Sequence, residues 1–183
     1  MKTDFELSCS WNVYFSRNDV ENWDDRLVHV TSFSTIRSFW ALYQHLALPS
    51  QLPVGCDYLV FRDGTEPHWE NSENIAGGRW SFQMRKTESA ECIDDKWLET
   101  LLALIGEQLP EQVNGAIVQS RVKQDRISIW TKDCAQLIGK CFRDLAKPWG
   151  PVIFQRHASR NSLKGNYLYC IHPTNPNVVQ QCQ

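Results

Sequence analysis

The chain has 183 residues, of which 42% are hydrophobic and 22% charged, with a formal net charge of −2. That length supports one domain with a core needing no disulfide or metal staple, and that composition excludes a disordered chain. The charge excludes sequence-independent binding to long duplex nucleic acid, which needs a basic face, so any nucleic-acid role has to be local.

Residues 10 to 15 and 26 to 33 alternate with period two and are expected to be strands. Between them a polar loop, SRNDVENWDD, carries Trp23 and Asp24. A helix is predicted after Ser34 and Thr35, a Ser/Thr cap ahead of Ile36, Phe39, Trp40 and Tyr43, with Pro49 ending it. CDYLVFRDG then reads as a strand closing on an Asp-Gly turn. EPHWENSENIAGGRW, residues 66 to 80, is a polar loop without apolar periodicity that nonetheless holds Trp69 beside Glu70. GGRWSFQMR alternates again, with Trp80 and Phe82 on one face and Arg79 on the other. The clearest helix is 94 to 108, with acids in its first turn where they suit the helix dipole. Its apolar residues span an arc of about 160°, wider than the usual core-facing stripe, and the excess suits a docking surface. GAIVQSRV and RISIWT form a hairpin whose mouth carries Arg121, Lys123 and Arg126. A third helix is predicted over 133 to 146, then two strands, PVIFQRH and YLYCI, and a tail after His172 that is expected to fray.

Strands joined by hairpins and interrupted by single helices imply an α+β domain: one antiparallel sheet with helices on one face and the other face left to be concave and functional. A single domain is expected over 1 to 183, its core at about 7 to 172. The seven cysteines show neither a CxxC pair nor zinc spacing and are expected to be reduced thiols. The N-terminus MKTDFELSCSW lacks the pattern of a signal peptide, and no run is long and apolar enough to span a membrane, so a soluble intracellular protein is expected.

Catalysis finds little footing. The five histidines are scattered, and there is no HExxH, GxSxG or phosphate-loop pattern. The acids Glu88, Glu91, Asp94 and Asp95 fit a helix start and solvated charge better than a metal site. What remains is two loop tryptophans, a carboxylate next to one of them, and a basic hairpin. Two indoles can sandwich a base, and a cationic base such as 7-methylguanine adds cation–π attraction. A carboxylate accepts the paired N–H donors of a guanine edge, while arginine and lysine bind phosphates. These parts suit a charged guanine nucleotide. Trp130 occupies a period-two strand position that suits a core aromatic as well as a ligand contact, and Trp40 at helical spacing suits a core.

Over about residues 7 to 172 the chain resembles the cap-binding translation initiation factor 4E family. The likeness is carried by WDDRLVHVTSFSTIRSFWALYQHL, GCDYLVFRDGTEPHWENSENIAGGRW, WLETLLALIGEQ and RVKQDRISIWT. It implies a curved antiparallel sheet of about eight strands, three helices on the convex face and the ligand slot on the concave side. It further implies that Trp23 and Trp69 stack on the 7-methylguanine of an mRNA cap, that Asp24 lies in that guanine site, that Glu70 pairs with the base edge and that Trp130 touches the methyl group. Arg121, Lys123 and Arg126 would bind the phosphates, with Arg79 supporting them and Lys164 as a further contact. On the other face Ile36, Trp40, Leu98, Glu99, Leu102 and Ile105 would receive an amphipathic helix from a scaffold initiation factor or an inhibitory binding protein.

The implied role is that of a cytoplasmic, non-catalytic factor, monomeric alone and without cofactor or metal, that recruits capped mRNA to the ribosome. Phe5-Glu6 replace the family's His-Pro ahead of the first strand. They keep open an alternative, a cap-binding repressor that does not engage the scaffold. A cap- or nucleotide-processing enzyme is the outside alternative.

Overall fold

The computed structural model describes residues 4–90, 92–147, 150–157, 167–173 and 179–181. Nine strands form one sheet: β1 Glu6–Ser16, β2 Leu27–Thr35, β3 Asp57–Arg62, β4 Gly78–Arg85, β5 Val113–Gln119, β6 Gln124–Thr131, β7 Val152–Arg156, β8 Tyr167–Ile171 and β9 Val179–Gln181. Their order is β2-β1-β3-β5-β6-β4-β7-β8-β9, and every neighbouring pair is antiparallel. Three longer helices, α2 Ile36–Tyr43, α5 Ile93–Ile105 and α6 Gln136–Ala146, accompany the single turns α1 Trp23–Arg26, α3 Ser72–Ile75 and α4 Lys86–Ser89.

The period-two alternation of the strands divides the molecule into two faces. Tyr58 and Val60 of β3, Trp80, Phe82 and Met84 of β4, Ala116 and Val118 of β5, and Ile127 and Ile129 of β6 join one core. That core also holds Phe39 of α2, Trp97, Leu101 and Leu104 of α5, and Ile138 and Phe142 of α6. The intervening residues Leu59, Phe61, Ile117 and Trp130 form a separate small cluster on the other face, where no helix covers the sheet among the described residues. Trp11, Trp80 and Trp97 are core residues.

Local chemistry fixes the element ends. Thr35 and Ser38 form a reciprocal capping box at the start of α2: the Ser38 N–H donates to Thr35 Oγ1 at 3.1 Å and the Thr35 N–H to Ser38 Oγ at 3.0 Å. Helix α6 lies against β4 because Gly139 has no side chain; a Cβ there would meet the Trp80 ring at 2.7 Å. Asp94 accepts from the Ser50 backbone N–H and hydroxyl at 2.8 and 2.7 Å, and Glu88 accepts from the Arg85 N–H at 3.2 Å. Glu88 and Asp94 therefore serve a helix start and the neighbouring turn.

Several expectations need correction. The tail contains a ninth strand, β9, because Val179–Gln181 pairs antiparallel with Tyr169–Ile171. The predicted helix after Thr35 stops at Tyr43, and Pro49–Gln51 is a separate 3₁₀ turn with Pro49 at its first position. The loop at 66 to 80 contains the helical turn α3, started by Asn71, whose side chain accepts from the Glu73 N–H at 3.0 Å. A single side-chain cap replaces the apolar repeat that a longer helix would display. Cys9, Cys56, Cys92, Cys134, Cys141 and Cys170 are free thiols.

Candidate functional site

The helix-free face is ruled by three cross-strand rows. Asn12, Phe61, Gly115, Trp130, Arg79 and Gln155 form one, and Tyr14, Leu59, Ile117, Ser128, Ser81 and Ile153 the next. Ser16, Asp57, Gln119, Arg126 and Gln83 form the third. The aromatic and apolar groups Phe61, Trp130, Leu59 and Ile117 thus lie in the first two rows, whereas the third is wholly polar, with Arg126 as its cation. At a rise of about 3.4 Å per residue, Arg126 stands about 14 Å along β6 from Trp130.

Trp69 is half-buried and packs against the Leu59, Phe61, Ile117 and Trp130 cluster, with Glu70 exposed next to it. The loop that presents them is tied down by amides. Buried Asn74 donates from Nδ2 to the Glu66 and His68 carbonyls, both at 2.9 Å. Asn114 of β5 donates to the Glu73 carbonyl at 2.8 Å and to Asn74 Oδ1 at 2.9 Å. Lys132 pairs with Glu73 at 2.7 Å on the outside. Asn74→Ala is expected to strand the two carbonyls and lower unfolding stability by about 1–3 kcal/mol; urea denaturation of the two proteins measures it.

Trp130 is only 4% exposed. Phe61 meets it edge-on with centroids 5.4 Å apart, and the tilted His157 ring has its centroid 4.1 Å from that of Trp130. It is the floor of the face more than a freely projecting ring. Arg79, opposite it on β4, donates from Nε and Nη2 to Gln155 Oε1 at 3.2 and 2.7 Å.

At the cationic end, Arg121 grips Asp57 with two guanidinium nitrogens, at 2.5 and 3.0 Å. The carboxylate is buried and Gln119 donates to it at 3.1 Å; its hydrogen bond to Arg121 pushes the Arg121 pKa above its ordinary value. Arg121 therefore stays cationic, but much of its field is spent on Asp57. Asp125 shapes the hairpin mouth by accepting from Lys86 Nζ at 2.6 Å and the Arg121 N–H at 3.3 Å. Lys123 projects exposed from the turn, and Arg126 lies half-buried on the face opposite Gln83.

On the helical side, Ile36 and Trp40 of α2 and Leu102 of α5 are 44%, 37% and 38% exposed. Glu99 is exposed beside them and Leu98 half-buried. Phe5, 64% exposed, lies at the start of α2, where its carbonyl accepts from the Ile36 N–H at 2.9 Å.

Residues 6–164 match the family described as Eukaryotic initiation factor 4E. The chain belongs to that family. Eukaryotic translation initiation factor 4E of Xenopus laevis is 41% identical over 171 residues, which cover 87% of this chain and 80% of the relative. Ascaris suum eIF4E-3, solved in complex with an m7G cap, superposes with a TM-score of 0.83 at 31% identity, covering 99% of this chain and 100% of that one. Caenorhabditis elegans eIF4E-3, solved with the 4E-binding protein Mextli, gives 0.81 at 30% identity, covering 92% and 100%.

In this 4E-family chain Trp69, Glu70, Arg79, Arg121, Lys123, Arg126 and Trp130 come together on or around one face, and Ile36, Trp40, Leu98, Glu99 and Leu102 gather on the other. Ile105 departs from expectation. It is 7% exposed and belongs to the core, so it can support the groove but does not line its surface. Trp23 and Asp24 lie on α1, immediately before β2, but their side chains are outside what the structure describes, as is Lys164. Asp57, Asn74, Asn114 and His157 escaped the sequence reading. The polar Asn114 in the apolar run VNGAIV was the available signal, since an amide amid buried strand residues needs a partner.

Proposed function

We propose that this chain is a non-catalytic, cytoplasmic cap-binding factor that holds the 7-methylguanosine end of mRNA on its helix-free face. A scaffold initiation factor or an inhibitory binding protein docks as an amphipathic helix on α2 and α5. The observation that carries the first half is Trp69, packed half-buried against the Leu59, Phe61, Ile117 and Trp130 cluster with Glu70 exposed beside it, while Arg126 and Lys123 stand further along the same side.

In this scheme Trp69 and Trp23 clasp the base. Glu70 accepts the guanine N1–H and N2–H, with Asp24 near that site. Arg126, Lys123 and the outer edge of Arg121 take the phosphates, and Lys164 is a further contact. Arg79 braces the floor, and Trp130 stands under the methyl group. The reaction class is recognition alone: two indole faces gain stacking energy from any purine, and the methyl group makes this one a fixed cation. Removing the methyl while keeping the phosphates therefore isolates the charge. Intrinsic fluorescence is expected to be quenched by 7-methyl-GTP at concentrations about two- to thirtyfold below those needed for GTP, from about 0.5–2 kcal/mol of cation–π attraction. Equal titration curves would contradict the proposal.

The repressor alternative is favoured by one feature, Phe5-Glu6, because the exposed Phe5 borders α2 where a partner chain would run. A labelled helical peptide from a scaffold factor decides between them. Binding supports the initiating role, and peptide indifference in a chain that still holds 7-methyl-GTP supports the repressor.

A further inference from the structure

Arg121 belongs to the hairpin mouth after β5, yet its guanidinium does not stay there. It reaches Asp57 of β3, 64 positions away in sequence, in the polar third row of the helix-free face. Nη1 donates to Asp57 Oδ1 at 2.5 Å and to the Ser120 carbonyl at 2.8 Å, and Nη2 donates to Asp57 Oδ2 at 3.0 Å. A guanidinium carries five N–H donors in a rigid planar fork, so these bonds use both Nη1 protons and one Nη2 proton. The Nε proton and the second Nη2 proton remain. They lie side by side on one edge of the plane and meet no partner among the described residues. Two parallel donors of this kind match two oxygens of a single phosphate.

Burial says which edge faces outward. The Arg121 side chain is 41% exposed and that of Asp57 only 3%. The carboxylate covers the Nη1–Nη2 edge, and the exposure belongs to the rest of the group. Gln119 completes the site by donating to Asp57 Oδ2 at 3.1 Å. A buried carboxylate needs all of these donors, so Arg121 is held in place before any ligand arrives. Across Gln119 the same row leads to Arg126, two strand spacings or about 10 Å from Asp57. Anions lying between them meet a guanidinium at either end.

Charge and direction act in opposite senses here. Arg121 and Asp57 sum to zero, so the pair adds little long-range attraction for an anion. It adds two donors at a fixed angle. We propose that Asp57 is a positioning residue for the cap phosphates: it draws Arg121 out of the hairpin turn onto the helix-free face and turns the Nε–Nη2 edge outward, while cancelling most of its field. The proposal rests on Arg121 meeting the phosphates, as set out above. An arginine without such a hold has to be ordered by the ligand itself, which weakens binding.

Asp57→Asn tests this because the two effects differ in sign. The amide keeps the shape of the buried side chain, breaks the double contact and leaves the chain one positive charge richer beside the phosphates. Attraction alone would tighten binding of 7-methyl-GTP; loss of positioning is expected to weaken it about two- to tenfold. Fluorescence titration is run with 7-methyl-GTP and with the phosphate-free 7-methylguanosine on the wild type, Asp57→Asn, Arg121→Gln, whose amide can still donate to Asp57, and the double variant. The nucleoside should bind the wild type and Asp57→Asn equally, and Asp57→Asn should add no further loss to Arg121→Gln. Equal or tighter binding of 7-methyl-GTP by Asp57→Asn overturns the proposal. A matching loss with the nucleoside, or one that persists on Arg121→Gln, overturns it too, since Asp57 would then act on the fold and not through Arg121. Undiminished 7-methyl-GTP affinity in Arg121→Gln is a separate result that removes Arg121 from the phosphates, and a wild type that fails to bind 7-methyl-GTP removes the cap reading itself.

Discussion

Trp69→Ala is expected to reduce affinity for 7-methyl-GTP by between about tenfold and a few thousandfold, measured by calorimetric titration. Stacking contributes about 1–3 kcal/mol per base and a cationic ring about 0.5–2 kcal/mol more, and each 1.4 kcal/mol is a factor of ten. Trp69 also covers part of the Leu59, Phe61, Ile117 and Trp130 cluster, so truncation uncovers apolar surface and costs some fold stability. Two controls separate the effects. Urea denaturation reports the fold, and Trp69→Phe keeps a smaller ring in the same place, restoring packing and part of the stack. Glu70→Gln should fall between: the amide keeps one acceptor but loses the charge and the second acceptor that a guanine edge needs. A folded Trp69→Ala chain with undiminished cap affinity would place the base elsewhere.

The two-faced architecture was legible in the sequence where period two survives along a strand. RWSFQM in β4 announces which residues go to the helices and which to the open face, whereas the all-apolar YLVF of β3 announces a strand but not its faces. The capped start of α2 was equally plain, since Thr35 and Ser38 act within four residues. Long-range pairing was not legible. Nothing in the order of residues says that Arg121 will be held by Asp57, 64 positions away, or that Asn114 will close on Asn74. Those bonds depend on register across β3, β5 and the loop, a tertiary fact, and they decide how much charge Arg121 has left and how firmly Trp69 is presented. Ile105 shows the same limit from the opposite direction. Helical periodicity placed it on the apolar arc but could not say which part of so wide an arc is covered, and the core claims it.

Trp40→Ala is expected to abolish detectable binding of an amphipathic helical peptide, with a loss of about 2–4 kcal/mol typical of a central aromatic anchor. Trp40 is held edge-on by Phe39 and Tyr43, with centroids 5.1 and 6.0 Å away, so its ring is preset and little entropy is lost when a partner covers it. With Ile36 on the same helix and Leu102 on α5 it offers apolar contacts from two helices, and exposed Glu99 adds a carboxylate for a basic residue of the partner. Leu102→Ala should cost less, because a smaller side chain leaves the indole in place. Cap affinity should be unaffected by either change: Trp40 and Trp69 lie on opposite sides of the sheet and share no partner, and distant sites of that kind act additively. Fluorescence polarisation of a labelled peptide and calorimetry with 7-methyl-GTP, run on the same variant, test both halves at once. A folded Trp40→Ala chain that lost the cap and kept the peptide would invert the assignment of the two faces, since the sheet between them allows neither side chain to reach the other's ligand.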